Sequence, residues 1–181
     1  MGQTRSDDEA SAFDRLFAAS YEELKRLASV VRRGERSHTL TPTALVNEAW
    51  LKLSATPALG QLSRLEFKRV AGRAMRQVLI EAARRRMAEK RGSGAGLVTF
   101  DDALDQGATT PAELLELHDA LDALADLNPR QAALVEARFF GGLETAELAE
   151  LLGISEATVL RDWRAARAWL SHELRRSAPK P

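Results

Sequence analysis

The sequence predicts an all-α protein of two small helical domains joined by a flexible acidic linker. Apolar residues recur at spacings of three and four along most of the chain, which is the period of an amphipathic helix. No segment shows the apolar–polar alternation typical of β-strands. Residues 92–110 are instead rich in Gly, Thr and Asp, as linkers are. We expect a first domain at residues 1–91, a linker at 92–111, a second domain at 112–176 and a tail at 177–181.

The formal net charge of zero hides two segments of opposite character. The chain has 26 Lys+Arg and 26 Asp+Glu among 181 residues. Residues 1–96 hold 18 basic and 11 acidic side chains, a net of +7, whereas residues 97–127 hold 8 acids and no Lys or Arg. Such asymmetry indicates separate basic and acidic roles, so neutrality does not exclude an anionic partner.

Composition argues against an enzyme, a metal site and a membrane protein. The chain has no Cys and only three distant His residues, so we expect no metal, disulfide or cofactor. The GSGAG segment at 92–96 follows a helix and lacks the Gly-Lys-Ser/Thr ending of a phosphate-binding loop. No apolar run approaches a membrane span and the start is polar, which predicts a cytoplasmic protein without a membrane partner.

Three helices are predicted in the first domain. The first ends near Gly34, and the second begins at Thr41-Pro42, an N-cap followed by proline, and runs to Leu53. The third spans about residues 65–90, with an apolar stripe of Phe67, Val70, Ala71, Ala74, Val78 and Ala82. Gly72 inside that helix should cost about 1 kcal/mol relative to alanine.

The third helix also predicts a basic face. Arg69, Arg73, Arg76 and Arg84 fall within roughly 80° on the side opposite the apolar stripe. Arginines at helical spacing can follow a phosphate backbone, although a solvated basic face is the alternative. Arg84, Arg85 and Arg86 are the clearest candidates, because three adjacent charges cannot all pair on one helix.

The second domain contains a predicted helix-turn-helix at residues 145–169. Helices are expected after Pro111 and from Asn128-Pro129 to Gly141-Gly142. Within the motif, Thr145 caps a short helix, Gly153 supplies the tight turn and Ser155 caps the second helix. Small Ala149 allows the two helices to approach closely. The second helix of such a motif enters the major groove of DNA.

The outward residues of that second helix are candidates for base and phosphate contacts. They are Glu156, Ala157, Thr158, Leu160, Arg161, Arg164 and Arg167. The alternative is a plain helical hairpin with solvated arginines. Since Leu160 and Asp162 are poor phosphate partners, we expect this helix alone to bind weakly.

Two parts of the chain resemble regions of RNA polymerase sigma factors. The motif together with the preceding LDALADLNPRQAALVEARFFGGLETAELAELLGIS resembles region 4 of the sigma-70 family. FDRLFAASYEELKRLA, TALVNEAWLKL and FKRVAGRAMRQVLIEAARRR resemble region 2 of the extracytoplasmic-function (ECF) group. The resemblance implies a factor that directs polymerase core to specific promoters and helps to melt the DNA. It implies promoter DNA and polymerase core as partners, with an anti-sigma factor or a Ser/Thr kinase as a candidate regulator.

The resemblance also assigns candidate sites. The helix from Thr41 to Leu53 would dock on the clamp helices of the largest polymerase subunit through Leu45, Val46, Glu48, Trp50 and Lys52. Alternatively, Leu45, Val46 and Trp50 belong to the core, while Glu48 and Lys52 form a pair within their own helix. The loop at about Pro57 to Leu65 would capture a flipped base of the minus-10 element, with Ser63 and Arg64 as candidates.

The third helix would grip the non-template strand of the opened duplex. Its candidate residues are Arg69, Arg73, Arg76, Gln77, Arg84, Arg85 and Arg86, with Gln77 where relatives often have Asn. The minus-35 element would be read by Ser155, Glu156, Ala157, Thr158, Leu160, Arg161, Arg164 and Arg167.

The sequence departs from the ECF pattern at the start of the second helix. Many relatives carry acidic residues where this chain has Thr41-Pro42-Thr43-Ala44. One hypothesis is that phosphorylation of Thr41 or Thr43 restores negative charge at a helix N-terminus, and the alternative is that Thr41 is only an N-cap. The acidic linker would thread the polymerase towards the RNA exit path or act as a spacer. A further hypothesis is that the acids of the linker and of the first helix of the second domain fold back over the basic helices in the free protein, which deletion of residues 97–110 would test.

A DNA-binding regulator is the rival function, with an N-terminal domain that dimerises or senses a signal. It predicts operator binding by the isolated protein. A sigma factor predicts weak promoter binding alone and strong binding together with polymerase core.

Overall fold

Seven α-helices are present in the described part of the computed structural model, which covers residues 3–31, 41–54, 59–89 and 110–177. The N-terminal half contains α1 (Gln3–Val31), α2 (Pro42–Ser54) and α3 (Arg64–Glu89), with a short 3-10 turn at Leu59–Gln61. The C-terminal half contains α4 (Pro111–Leu127), α5 (Pro129–Phe139), α6 (Thr145–Leu152) and α7 (Glu156–Ser177). The described residues contain no strand, so the predicted all-α class is confirmed. Most of the predicted linker, the predicted tail after Ser177, Gly34 and Pro57 lie outside them.

Predicted caps mark the starts of two helices. The amide of Ala44 donates to Thr41 Oγ1 over 3.1 Å, with Pro42 at the first helical position of α2. The amide of Gln131 donates to Asn128 Oδ1 over 3.2 Å at the start of α5. Each cap satisfies an amide that the first helical turn leaves without a partner.

The start of α4 is fixed by a reciprocal pair of hydrogen bonds. The amide of Glu113 donates to Thr110 Oγ1, and the amide of Thr110 donates to Glu113 Oε2. This capping box places the first turn of α4 at Pro111, within the last residues that the sequence assigned to the linker.

Aromatic side chains hold α1, α2 and α3 together. The ring of Phe13 lies 6.4 Å from that of Trp50 and 5.9 Å from that of Phe67, which it meets edge-on. Leu45 and Val46 of α2 are completely buried in the same core. Burial of aromatic and aliphatic area is the main stabilising contribution here.

A single hydrophobic cluster continues from the N-terminal half into the C-terminal half. It includes Met75 and Leu79 of α3, Leu117 and Leu121 of α4 and Leu170 of α7. A smaller cluster of Leu134, Ala137, Leu143, Leu148 and Val159 fills the interior of the helix-turn-helix. Because α3 packs against helices of both halves, it is the central element of the described structure.

The two halves also approach each other closely through their backbones. A Cβ atom placed on Gly72 of α3 would lie 2.7 Å from the amide nitrogen of Gly141 and 2.8 Å from the carbonyl carbon of Phe140. Gly142, at φ +65°, continues this turn against Leu27 of α1. The predicted end of the helix at Gly141-Gly142 is confirmed. The turn that follows α5 also packs against α3 and α1. Gly72 is therefore explained by close contact in spite of its low helix propensity.

We predict that Gly72→Ala lowers the free energy of unfolding by about 1–3 kcal/mol, because the added methyl group forces the two backbones apart. In an unobstructed helix the same substitution would be stabilising by about 1 kcal/mol. Urea unfolding followed by circular dichroism measures the difference. Gly153→Ala is the control, since nothing lies within 4 Å of its Cβ position and only its φ of +64° opposes a side chain. A more stable Gly72→Ala protein would contradict the close approach.

Candidate nucleic-acid interface

The helix-turn-helix is built by α6, a left-handed turn residue and α7. Gly153 has φ 64° and ψ 35°, a conformation that strains other residues. The amide of Ile154 donates to the carbonyl oxygen of Ala149 over 3.0 Å. The amide of Thr158 donates to Ser155 Oγ over 3.2 Å, so the predicted turn and second cap are confirmed.

The predicted cap of the first motif helix is wrong by one residue. Thr145 is the first helical residue, and Glu144 occupies the capping position. The amide of Glu144 donates to the carboxylate of Glu147 over 2.8 Å, so the side chain from the third helical position satisfies the helix start.

An acidic side chain of α7, Asp162, lies on the inward face of the helix and is buried. Val159 and Ala166 are fully buried, and Asp162 is 4% exposed. Asp162 Oδ2 lies 2.8 Å from Nε of Arg130 at the start of α5. The sequence did not reveal this pairing, which turns the carboxylate away from the outer face.

The outer face of α7 carries the sequence-predicted recognition residues. Seven of them are exposed, namely Ser155, Glu156, Ala157, Leu160, Arg161, Arg164 and Arg167. Thr158 is half-buried, and its hydroxyl lies 3.0 Å from that of Ser155. Arg161, Arg164 and Arg167 follow at intervals of three, so they share one side of the helix and form a basic surface.

The basic face of α3 is only partly open. Its exposed members are Arg69, Arg73, Gln77, Arg84 and Arg85, whereas Arg86 is half-buried. Arg76 differs from the rest, because its side chain is 12% exposed and is directed at the C-terminal half.

Arg76 is held by a network from α4 and α5. Its Nη2 lies 2.7 Å from Asp122 Oδ1, and its Nη1 lies 3.0 Å from Glu136 Oε1. Nη2 also donates to the carbonyl oxygen of His118 over 3.0 Å. These charge-assisted bonds occupy both ends of the guanidinium fork.

His118 is neutral beside this guanidinium. Its Nδ1 lies 2.6 Å from Arg76 Nη2, and since arginine only donates, Nδ1 must accept and the proton sits on Nε2. Burial and the positive charge of Arg76 both lower the pKa of His118 below its usual 6.5. The side chain therefore adds no positive charge at neutral pH.

An open cavity of about 400 Å³ lies beside the network. Its α3 wall is formed by Arg73, Arg76, Gln77, Ile80, Glu81 and Arg84, and the opposite wall by His118, Asp122 and Glu136. Arg73, Arg76, Gln77 and Arg84, four of the residues predicted to contact the non-template DNA strand, thus lie beside carboxylates of the C-terminal half.

Lys68 is a fully buried cation, which sequence analysis missed. It is 1% exposed, and its Nζ lies 2.8 Å from Glu23 Oε1 of α1 and 3.1 Å from Glu147 Oε1 of α6. Burial alone would raise the pKa of Glu23, but hydrogen bonds from Lys68 and Arg64 lower it. A possible sequence signal was the position of this lysine directly after Phe67 and three residues before Ala71, within the apolar stripe.

The two loop candidates occupy the start of α3. The amide of Glu66 donates to Ser63 Oγ over 3.3 Å, and the amide of Ser63 donates to Glu66 Oε2 over 2.9 Å. Ser63 is thus engaged as a cap. Arg64 is 64% exposed, although one of its nitrogens lies 3.1 Å from Glu23.

The predicted polymerase-docking residues of α2 divide between core and surface. Leu45 and Val46 are buried, and Trp50 packs partly against Phe13. Glu48 and Lys52 are exposed, but Lys52 pairs with Glu81 of α3 over 2.8 Å. The outer surface also presents Leu51, which is 55% exposed and was missed because it falls outside the apolar side of α2. Thr41 and Thr43 are both exposed at the start of α2.

These elements define an all-helical DNA-binding protein with a helix-turn-helix and a second basic helix. A family model described as ECF sigma factor matches residues 1–176. The chain therefore belongs to the ECF sigma factor family, whose members act in transcription initiation and are not enzymes. A comparison with curated proteins found no match, and neither did a comparison with solved structures.

Two further features are absent from the described residues. None of their helices is long and apolar enough to cross a membrane. Within the same residues, no group of three or more His, Asp or Glu side chains is arranged to hold a metal ion.

We predict that Lys68→Met lowers the free energy of unfolding by about 1–3 kcal/mol, because two carboxylates lose a buried partner. Lys52→Met is the matched control and should cost less than about 1 kcal/mol, since the Lys52–Glu81 pair is exposed. Stability should also depend on pH, because the pKa of Glu23 is lowered in the folded protein. The contribution of the ionised Glu23 to the free energy of unfolding is complete above the usual pKa of 4.5 and is lost as the pH falls through the lowered pKa. Chemical denaturation at neutral and acidic pH measures both effects. Equal losses in the two variants would contradict the structural role of Lys68.

Proposed function

We propose that this sigma factor directs RNA polymerase core to specific promoters and helps to melt the minus-10 element. The observation that carries the proposal is the exposed basic face of α7, on a helix-turn-helix with the expected left-handed turn. The proposal assigns the minus-35 element to residues 112–176 and the minus-10 element to residues 1–91, in the cytoplasm and without catalytic activity of its own.

Reading of the minus-35 element is assigned to the outer residues of α7. Arg161 and Arg164 are exposed and can reach guanine edges or phosphates once the helix lies in the major groove. The burial of Asp162 beside Arg130 supports the assignment, since it withdraws the carboxylate from solvent, with only Oδ1 lying 4.0 Å from Nε of Arg161.

The non-template strand of the minus-10 element is assigned to α3. The exposed side chains of Arg73, Gln77, Arg84 and Arg85 provide cations and a hydrogen-bonding amide along one helix. Arg64 is the better candidate at the flipped base, because the hydroxyl of Ser63 is engaged in capping.

Binding to the clamp of the largest polymerase subunit is assigned to the exposed side of α2. Glu48, Trp50 and Lys52 remain candidates, and Leu51 joins them as an exposed apolar contact. Leu45 and Val46 would contribute indirectly, because their burial in the core fixes the position of α2. Phosphorylation of Thr41 or Thr43 and control by an anti-sigma factor or a kinase stay predictions.

The decisive test is transcription in vitro with purified polymerase core on a genomic promoter library. We expect core plus this protein to initiate at a defined set of promoters, whereas core alone does not. Tight, sequence-specific operator binding by the isolated protein, without promoter-directed initiation, would favour the rival regulator.

Arg161→Ala and Arg164→Ala test the assignment of α7 within the same assay. Each should lower promoter affinity by about 1–3 kcal/mol if the side chain reads a guanine, and relax the preference at one base position. Arg175→Ala is the matched control, because Arg175 is an exposed arginine in the last turn of the same helix. Unchanged promoter preference in both test variants would contradict the assignment.

A further inference from the structure

The outer face of α7 combines arginines with a large apolar side chain. Leu160 is 40% exposed and is a member of neither of the two hydrophobic clusters formed by the described residues. At about 100° per residue, an arc of about 100° on the side of α7 away from the core holds four exposed residues, namely Ala157, Leu160, Arg161 and Arg164. A single exposed leucine is ordinary on a protein surface. This one lies among the side chains assigned to the minus-35 element.

Several polar side chains at the start of α7 have partners within the protein. Ser155 Oγ accepts from the amide of Thr158 over 3.2 Å and lies 3.0 Å from Thr158 Oγ1. The carboxylate of Asp162 is buried. Between these three positions, Ala157 and Leu160 are exposed. The first two turns of the helix therefore present an apolar surface next to the arginines.

The position of Leu160 fits a base edge in the major groove. In a helix-turn-helix the N-terminal residues of the second helix contact base edges, and Leu160 is the fifth residue of α7. Its side chain neither donates nor accepts a hydrogen bond, so it cannot pair with a phosphate or with the polar edge of a base. The apolar substituent that a base pair presents in this groove is the 5-methyl group of thymine. Ala157 is short, which leaves space for that group to reach Leu160.

We propose that Leu160 reads a thymine of the minus-35 element by packing against its 5-methyl group, at a base pair next to one contacted by Arg161 or Arg164. The inference rests on the proposed function of α7 and extends it from guanine to a second base. The contact removes the methyl group and the leucine side chain from water together, which is favourable. Uracil pairs with adenine in the same way but carries hydrogen in place of the methyl group, so it lacks this contact.

The test first obtains the element that the protein prefers. The minus-35 segment of a promoter from the genomic library is randomised, and polymerase core with the full-length protein selects the duplex that binds most tightly. Each thymine of the selected segment is then replaced singly by deoxyuridine, which keeps the base pair and removes only the methyl group. We expect one of these replacements to weaken binding of the polymerase complex about fourfold, the value for losing the burial of one methyl group.

Leu160→Ala identifies the side chain that makes the contact. The complex with this variant should bind the thymine and deoxyuridine duplexes equally, because no leucine remains to cover the methyl group. Leu160→Gln keeps the length of the side chain without its apolar end and should also abolish the difference. Leu127→Ala is the matched control, since it truncates a leucine that is 68% exposed at the end of α4, and it should keep the fourfold difference.

Each outcome bears on the inference directly. A selected segment without thymine, equal binding of every deoxyuridine duplex by the wild-type complex, or a fourfold difference that persists in both Leu160 variants would overturn it. The proposed function fails separately, if polymerase core with the wild-type protein selects no minus-35 sequence.

Discussion

The packing of α3 against the turn at Gly141 is the constraint on which the rest of the structure depends. Without side chains at Gly72 and Gly141, the two backbones come close enough for the neighbouring cations to reach across. Lys68 lies one turn before Gly72 and Arg76 one turn after it, and both are withdrawn from solvent. The glycine contact thus determines which basic residues of α3 are internal.

Charge is distributed accordingly over the described surface. Lys68 and Arg76 are compensated by acids of other helices, and Asp162 is compensated by Arg130. Exposed arginines are found on the outer side of α7 and at the edge of the cavity beside α3, among other places. A chain with no net charge therefore still presents basic side chains on the surfaces of α3 and α7.

Local features could be predicted from the sequence, and features that depend on distant contacts could not. The caps at Thr41 and Ser155 and the turn at Gly153 were predictable, because each involves residues within a few positions of one another. The all-α class followed from helical periodicity, and the family followed from the resemblance of the quoted segments to sigma regions 2 and 4. The burial of Lys68 and the inward turn of Asp162 depend on partners 79 and 32 positions away, which helical periodicity does not reveal.

The central claim is that α3 packs against the C-terminal half through Lys68, Gly72 and Arg76. The chain contains no Cys, so spin labels at Ala18→Cys on α1 and Asp126→Cys on α4, both exposed sites, report one distance between the halves. Pulsed electron paramagnetic resonance should give a single short distance between the two labels in the free protein. A broad distribution that extends to long distances would contradict the claim.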